Sequence, residues 1–181
     1  LVEASKASSG NVKLEISDLN FTELVQQTGG EFEEKFAARR LDLVTHIPDG
    51  RLIIQADGRR LWRILENLYN NACKYAMEGS RVYVDLKEED GMAVFTIKNV
   101  SESPLNIDAS ELTERFVRGD VARTTEGSGL GLSIAKNLTL LQKGTFDIII
   151  DGDLFKALVA FPVKKPEDPQ ENQEKQPDIP E

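Results

Sequence analysis

An α+β fold is predicted for this chain: a two-layer α/β sandwich in which about three helices cover one face of a mixed sheet of five or more strands. Three observations predict it. Apolar residues recur at helical spacing in three stretches, residues 20–40, 57–77 and 131–142. Two alternating runs fold back at Asp-Gly pairs, Asp90-Gly91 and Asp151-Gly152, and read as hairpins. Helices and strands are also interspersed along the chain rather than grouped, and no internal repeat is apparent, so a single mixed sheet is expected.

Each element has its own local reason. Residues 1–17 read as the frayed end of a helix followed by a linker, because Ser8-Ser9-Gly10-Asn11 is turn chemistry. Phe21, Val25, Thr28, Phe32 and Phe36 then recur helically, with Asn20 and Glu23 placed as in a capping box. The Gly29-Gly30 pair weakens this helix by roughly 1 kcal/mol per glycine, which predicts a break there. Strands are expected at 41–46 and 51–55, joined by the turn sequence Ile47-Pro48-Asp49-Gly50. A long helix follows from about Asp57, its N-cap, to Met77. The first hairpin alternates through Val82, Val84 and Leu86, then through Ala93, Phe95 and Ile97. Residues 100–128 show no sustained period apart from a short helix around residues 109–116, and so predict a functional loop or lid. A helix with Leu132, Ala135 and Leu138 on one face leads into the second hairpin, residues 145–163. From Lys164 on, the chain carries four of its seven prolines and no aromatic residue, which predicts a disordered acidic tail over residues 164–181.

Composition narrows the function classes. The chain has 181 residues and a formal net charge of −9, which argues against a basic nucleic-acid surface but not against one local anion site. Cys73 is the only cysteine, so no internal disulfide can form, and its mid-helix setting predicts an inert core residue. The single histidine, His46, ends a predicted strand and has no partners for a metal site. No apolar run approaches the roughly 18 residues that span a bilayer, and no signal peptide is visible, so a cytoplasmic piece without direct membrane contact is expected.

The chemistry concentrates in four stretches. On the long helix, Asn71 and Lys74 fall within about 40° of Asn67 on a wheel of 100° per residue, beside the apolar stripe formed by Leu61, Ile64, Leu65, Leu68 and Ala72. Alone, such an edge reads as a polar face meeting water. The other stretches are Lys98-Asn99-Val100-Ser101-Glu102-Ser103 at the end of a strand, Glu114 to Asp120 in the irregular region, and the glycine-rich run Glu126 to Asn137. That run fits neither the dinucleotide fingerprint nor the P-loop spacing.

In this order and spacing the four resemble the N, G1, F and G2 boxes of the catalytic and ATP-binding domain of sensor histidine kinases, the Bergerat or GHKL fold of two-component signalling. The resemblance covers residues 12–163, with a flexible ATP lid at about 100–128, and residues 1–11 resemble the end of the preceding dimerisation helix and its linker. It implies ATP and Mg²⁺ as cofactors. Asn67 and Asn71 would hold the metal through neutral carboxamide oxygens, which suit Mg²⁺ without repelling a triphosphate. Lys74 would contact phosphate and Tyr75 the adenine. Gly127, Gly129 and Gly131, with Leu130 and Leu132 beside them, would bring backbone N–H groups and a helix N-terminus to the phosphates, the glycines permitting positive φ. Phe116 would anchor the lid and Arg118 would reach the terminal phosphate, with Arg115 and Arg123 as further candidates.

By the same resemblance the chain is expected to be a protein-histidine kinase fragment, positioning ATP but lacking the phosphoacceptor histidine. Its partners would be a histidine-bearing dimerisation domain and a downstream response regulator, in a parent that is a dimer and often membrane-anchored. Two alternatives stay open: a catalytically silent nucleotide-binding regulatory module, and a GHKL-type ATPase with a helix carboxylate as base. Glu66 disfavours the latter, since it points about 100° away from Asn67. The G1 stretch departs from the family's Asp-x-Gly-x-Gly, with Asn99, Ser101 and Ser103 at the Asp and Gly positions. Asn99 can still accept a hydrogen bond from the adenine amino group, but a carboxamide can present either end, which predicts relaxed base selectivity.

Overall fold

The computed structural model describes residues 13–105 and 130–166. Its elements are β1 (Ile16–Asn20), α1 (Phe21–Ala38), β2 (Asp42–His46), β3 (Ile53–Asp57), α2 (Gly58–Tyr75), β4 (Arg81–Glu89), β5 (Met92–Val100), α3 (Leu130–Leu141), β6 (Thr145–Asp151) and β7 (Leu154–Pro162). Five strands form a mixed sheet in the order β2-β4-β5-β7-β6, with β2 parallel to β4 and the other pairs antiparallel. The sandwich expected from the sequence is thus borne out, with the three helices as its second layer.

Two expectations about the elements are corrected. The sheet is not single: β3 leaves it and pairs antiparallel with β1, from Ile16 opposite Asp57 to Asn20 opposite Ile53. Sequence alone assigns the start of this segment to a linker, since Ser17 and Asp18 interrupt any apolar alternation; backbone pairing with β3 is what makes it a strand. The predicted break at Gly29-Gly30 is also absent, for α1 runs unbroken through it. Phe21, Val25, Thr28, Phe32 and Phe36 are all buried along one face, and that packing outweighs the weak propensity of the two glycines. Thr28 Oγ1 further donates to the Leu24 carbonyl at 2.7 Å.

The hairpin turns follow their sequences. Asp90 and Gly91 adopt φ of 51° and 77°, and Gly152 adopts 59°, the left-handed values that tight two-residue turns require. Between the layers, Tyr69 packs its ring on Phe32, Phe36 and Phe95 with centroids 5.3–6.2 Å apart, and Phe21 joins Phe95 to Phe161. Burial pushes the Tyr69 phenol far above its ordinary range.

Cys73 lies at the rim of this core rather than inside it, half-buried, with Sγ 3.5 Å from the Lys35 carbonyl. Burial raises its thiol pKa against the nearby charges of Arg39 and Lys35. His46, exposed at the end of β2, places Nδ1 2.8 Å from Asp85 Oδ1, its partner in register. The expectations for residues 1–11, for most of the lid including the short helix at 109–116, and for the tail from 167 lie outside the described residues.

Candidate functional site

The site is built on α2. Asp57 ends β3 in extended conformation and caps the helix: its Oδ1 accepts from the backbone N–H groups of Arg59 and Arg60 at 3.1 and 3.3 Å. Its other oxygen accepts from Glu15 N at 2.9 Å and from Arg60 Nη1 at 3.0 Å. The start of α2 is therefore fixed to β1 and β3, and with it the rotation of the helix about its axis. That rotation buries Leu61, Ile64, Leu65, Leu68, Tyr69 and Ala72 against the sheet. Asn67, Asn71 and Lys74 are left at the boundary between core and solvent.

At that boundary a cavity of about 270 Å³ opens between α2 and the first turn of α3. Asn67, Asn71, Lys74 and Tyr75 line one side, and Leu130, Gly131 and Leu132 the other. The structure thus brings together seven of the residues singled out from the sequence. The two sides touch. A Cβ on Gly131 would stand 3.2 Å from Asn67 Oδ1, a tight approach, and in ordinary contact at 3.6 Å with Asn67 Cβ and Cγ. Gly131 is helical and has no positive φ, so the conformational reason expected for this glycine is corrected: what sets it apart is its close approach to Asn67, where a side chain would press on the carboxamide. Asn67 Nδ2 is buried and has no hydrogen-bond partner among the described residues.

Tyr75, 39% exposed, forms the end of the cavity, and Lys74 Nζ lies 5.6 Å from its ring centroid. Partial burial raises the Tyr75 phenol pKa, keeping it neutral. This end of α2 is held by four hydrogen bonds. Glu102 N donates to the Tyr75 carbonyl at 2.9 Å, and Met77 N to the Val100 carbonyl at 2.8 Å, tying α2 to the end of β5. Arg39 Nη1 donates to the Cys73 and Lys74 carbonyls at 2.6 and 2.7 Å, while its Nη2 reaches Glu102 Oε2 at 3.1 Å. A guanidinium at the negative end of the helix dipole is favourably placed.

Asn99 does not line the cavity. It ends the inward row of β5, after Ala93, Phe95 and Ile97, and is 3% exposed. Neither Oδ1 nor Nδ2 has a hydrogen-bond partner among the described residues. Arg118, Gly127 and Gly129, together with Arg115, Phe116 and Arg123, lie outside the described residues. Three cavity residues escaped the sequence reading: Arg63, Asn70 and Ile134. Arg63 and Asn70 were findable, since they fall about 40° and 60° from Asn67 on the same wheel. Glu66 does not line the cavity and pairs instead with Arg63 Nη1 at 3.5 Å.

The donor set is neutral oxygen and cation rather than a carboxylate cage. Among the described residues no group of three or more His, Cys, Asp or Glu could hold a metal ion. A divalent ion here would take most of its ligands from water and from an anionic ligand, which is how Mg²⁺ is usually bound with phosphates.

Comparison with known proteins gives the same direction. The family model described as "Histidine kinase-, DNA gyrase B-, and HSP90-like ATPase" matches residues 56–174. The sensor histidine kinase RppB of Synechocystis sp. is 30% identical over 128 residues, covering 70% of this chain and 28% of the relative. The signal transduction histidine-protein kinase BaeS of Escherichia coli is 28% identical, covering 80% of this chain and 31% of the relative. The chain therefore spans about a third or less of the length of these curated relatives. Among solved structures, the catalytic domain of the histidine kinase ThkA superposes with a TM-score of 0.71 at 22% identity, covering 83% of this chain and 97% of that one.

Proposed function

Since the chain belongs to the histidine kinase-, DNA gyrase B- and HSP90-like ATPase family, we propose that it binds Mg-ATP in the α2–α3 cavity and donates the γ-phosphate to a histidine on a separate dimerisation domain. The observation that carries this reading is the contact of Asn67 with Gly131, which joins two motifs distant in sequence across one cavity. Asn67 and Asn71 would hold the metal through their carboxamide oxygens. Bound there, Mg²⁺ would neutralise charge on the transferring phosphoryl group. Lys74 supplies a point charge to the phosphates, and the N-terminus of α3, with Gly131, supplies backbone N–H groups and the positive end of its dipole. Leu130 and Leu132 flank that turn, and Gly127, Gly129 and Arg118 precede it in the chain. Tyr75 offers a ring face to the base, and Asn99 a hydrogen bond to its edge.

What these residues contribute is position and electrostatics; no side chain need form a covalent bond. His46, exposed on the edge strand β2 and paired with Asp85, does not line this cavity. The acceptor therefore comes from elsewhere, and a downstream response regulator would take the phosphate from it, on the cytoplasmic side. The placement of Glu66 outside the cavity disfavours an ATPase that uses this carboxylate as base.

The test is transfer in trans. Labelled ATP is mixed with this chain and a histidine-bearing dimerisation domain. Label on the histidine supports the kinase reading. Bound ATP with no transfer to any such domain from the same protein would leave a silent nucleotide-binding module.

A further inference from the structure

We propose that Arg63 is a further binding residue of this cavity, the guanidinium that receives the terminal phosphate and lets the site tell ATP from ADP. The inference rests on the nucleotide-binding reading above. It starts from the charge of the cavity. The chain carries a net charge of −9, yet the described residues that line the cavity include two cations, Arg63 and Lys74, and no carboxylate. Such a local reversal of sign favours an anion there against the field of the whole molecule.

The two cations bracket the carboxamides. Along α2 the order is Arg63, Asn67, Asn71 and Lys74, each about one turn from the next, and all four line the cavity. At a rise of 1.5 Å per residue, the Arg63 backbone stands about 6 Å beyond Asn67 and about 18 Å from Tyr75. Lys74 adjoins Tyr75, with Nζ 5.6 Å from the centroid of its ring, and so serves the end of the cavity assigned to the base. Arg63 serves the opposite end. A triphosphate that starts at Tyr75 and passes Lys74, Asn71 and Asn67 meets Arg63 last, with its terminal group. The diphosphate of the same nucleoside stops one phosphate short.

The guanidinium is held loosely where it now lies. Its Nη1 pairs with Glu66 Oε2 at 3.5 Å, long for a charge-assisted bond, and the two side chains are 42% and 33% exposed. An ion pair of that length and exposure contributes little. Glu66 itself does not line the cavity, so it steadies the guanidinium without filling the anion's place. A terminal phosphate is the stronger partner. It carries more charge than a carboxylate, and its oxygens match the planar fork of arginine two at a time.

Calorimetric titration with Mg-ATP and with Mg-ADP, on the native chain and on Arg63→Gln, Arg63→Lys and Glu66→Gln, tests the proposal. Arg63→Gln should weaken ATP by about tenfold or more, the scale of one hydrogen-bonded charge, and ADP by less than about threefold. Arg63→Lys keeps the charge without the fork, and its ATP affinity should fall between the two. Glu66→Gln should bind ATP no more weakly than the native chain. A merely structural role for Arg63 would weaken both nucleotides alike, and that result would overturn the proposal. So would unchanged ATP affinity in Arg63→Gln, or a loss in Glu66→Gln as large as that in Arg63→Gln. In each of these cases the nucleotide site stands and only the role of Arg63 falls. If the native chain binds neither nucleotide, the reading of the cavity falls and the inference with it.

Discussion

Gly131 shows how much a single residue type can decide. With the nearest Asn67 oxygen 3.2 Å from where its Cβ would be, even a methyl group has to displace the carboxamide. Gly131→Ala should therefore separate stability from function. The methyl group needs only a few tenths of an ångström from a side chain, and alanine is the better helix former, so thermal unfolding should move little. Nucleotide affinity should fall by about tenfold or more, the scale seen when the shell around a metal ligand is disturbed. Unfolding curves and equilibrium binding on the same sample check both halves, and an unchanged affinity would contradict the role given to Asn67. At this scale the sequence was legible in part. Asn67, Asn71 and Lys74 announce themselves because polar residues beside an apolar stripe are visible on a wheel. The need for glycine at 131 is a contact between distant segments and has no local signal.

Among the elements, α2 carries the site and its cap carries α2. Asp57 collects donors from Glu15, Arg59 and Arg60, and its own N–H donates to Gln142 Oε1 at 2.7 Å, so one residue joins β1, β3, α2 and the end of α3. Burial alone would raise its pKa. The backbone N–H groups of Glu15 and Arg60, then the Arg60 charge, outweigh that and hold it below the ordinary carboxylate range. A depressed folded pKa means that the ionised form stabilises the fold above the ordinary value near pH 4 and that this contribution fades as pH falls through the lowered value. Denaturant unfolding between about pH 7 and pH 2 should show that loss, and Asp57→Asn should flatten it while costing about 1 kcal/mol at neutral pH. A variant with the wild-type acid slope would refute the assignment. The helix itself was legible from its cap through its stripe, because the two agree, although it ends at Tyr75 rather than at Met77. β1 and the unbroken α1 were not, since a strand of Ile16-Ser17-Asp18-Leu19-Asn20 and a helix through Gly29-Gly30 exist only by virtue of what they pack or pair with.

For the molecule as a whole, topology does what no single motif can. Strand β5 sits at the centre of the sheet, and the backbone at its end, Val100 and Glu102, is bonded to the terminus of α2; α3 packs on α2 at the same cavity. Three of the four sequence motifs thereby meet, at least in part, on one end of the sandwich, although the departure of β3 into a second sheet was unforeseen. Family membership explains why the boxes occur in that order, while the cavity explains what the order achieves. The central claim is that the carboxamides of Asn67 and Asn71, with the turn into α3, hold one metal-bound triphosphate. The most direct measurement is calorimetry of ATP binding with and without Mg²⁺, on this chain and on Asn71→Ala. Binding that depends on Mg²⁺, and that Asn71→Ala weakens by about tenfold or more without lowering the unfolding temperature, is the predicted result. Equal affinities with and without the metal, or in both proteins, would contradict it.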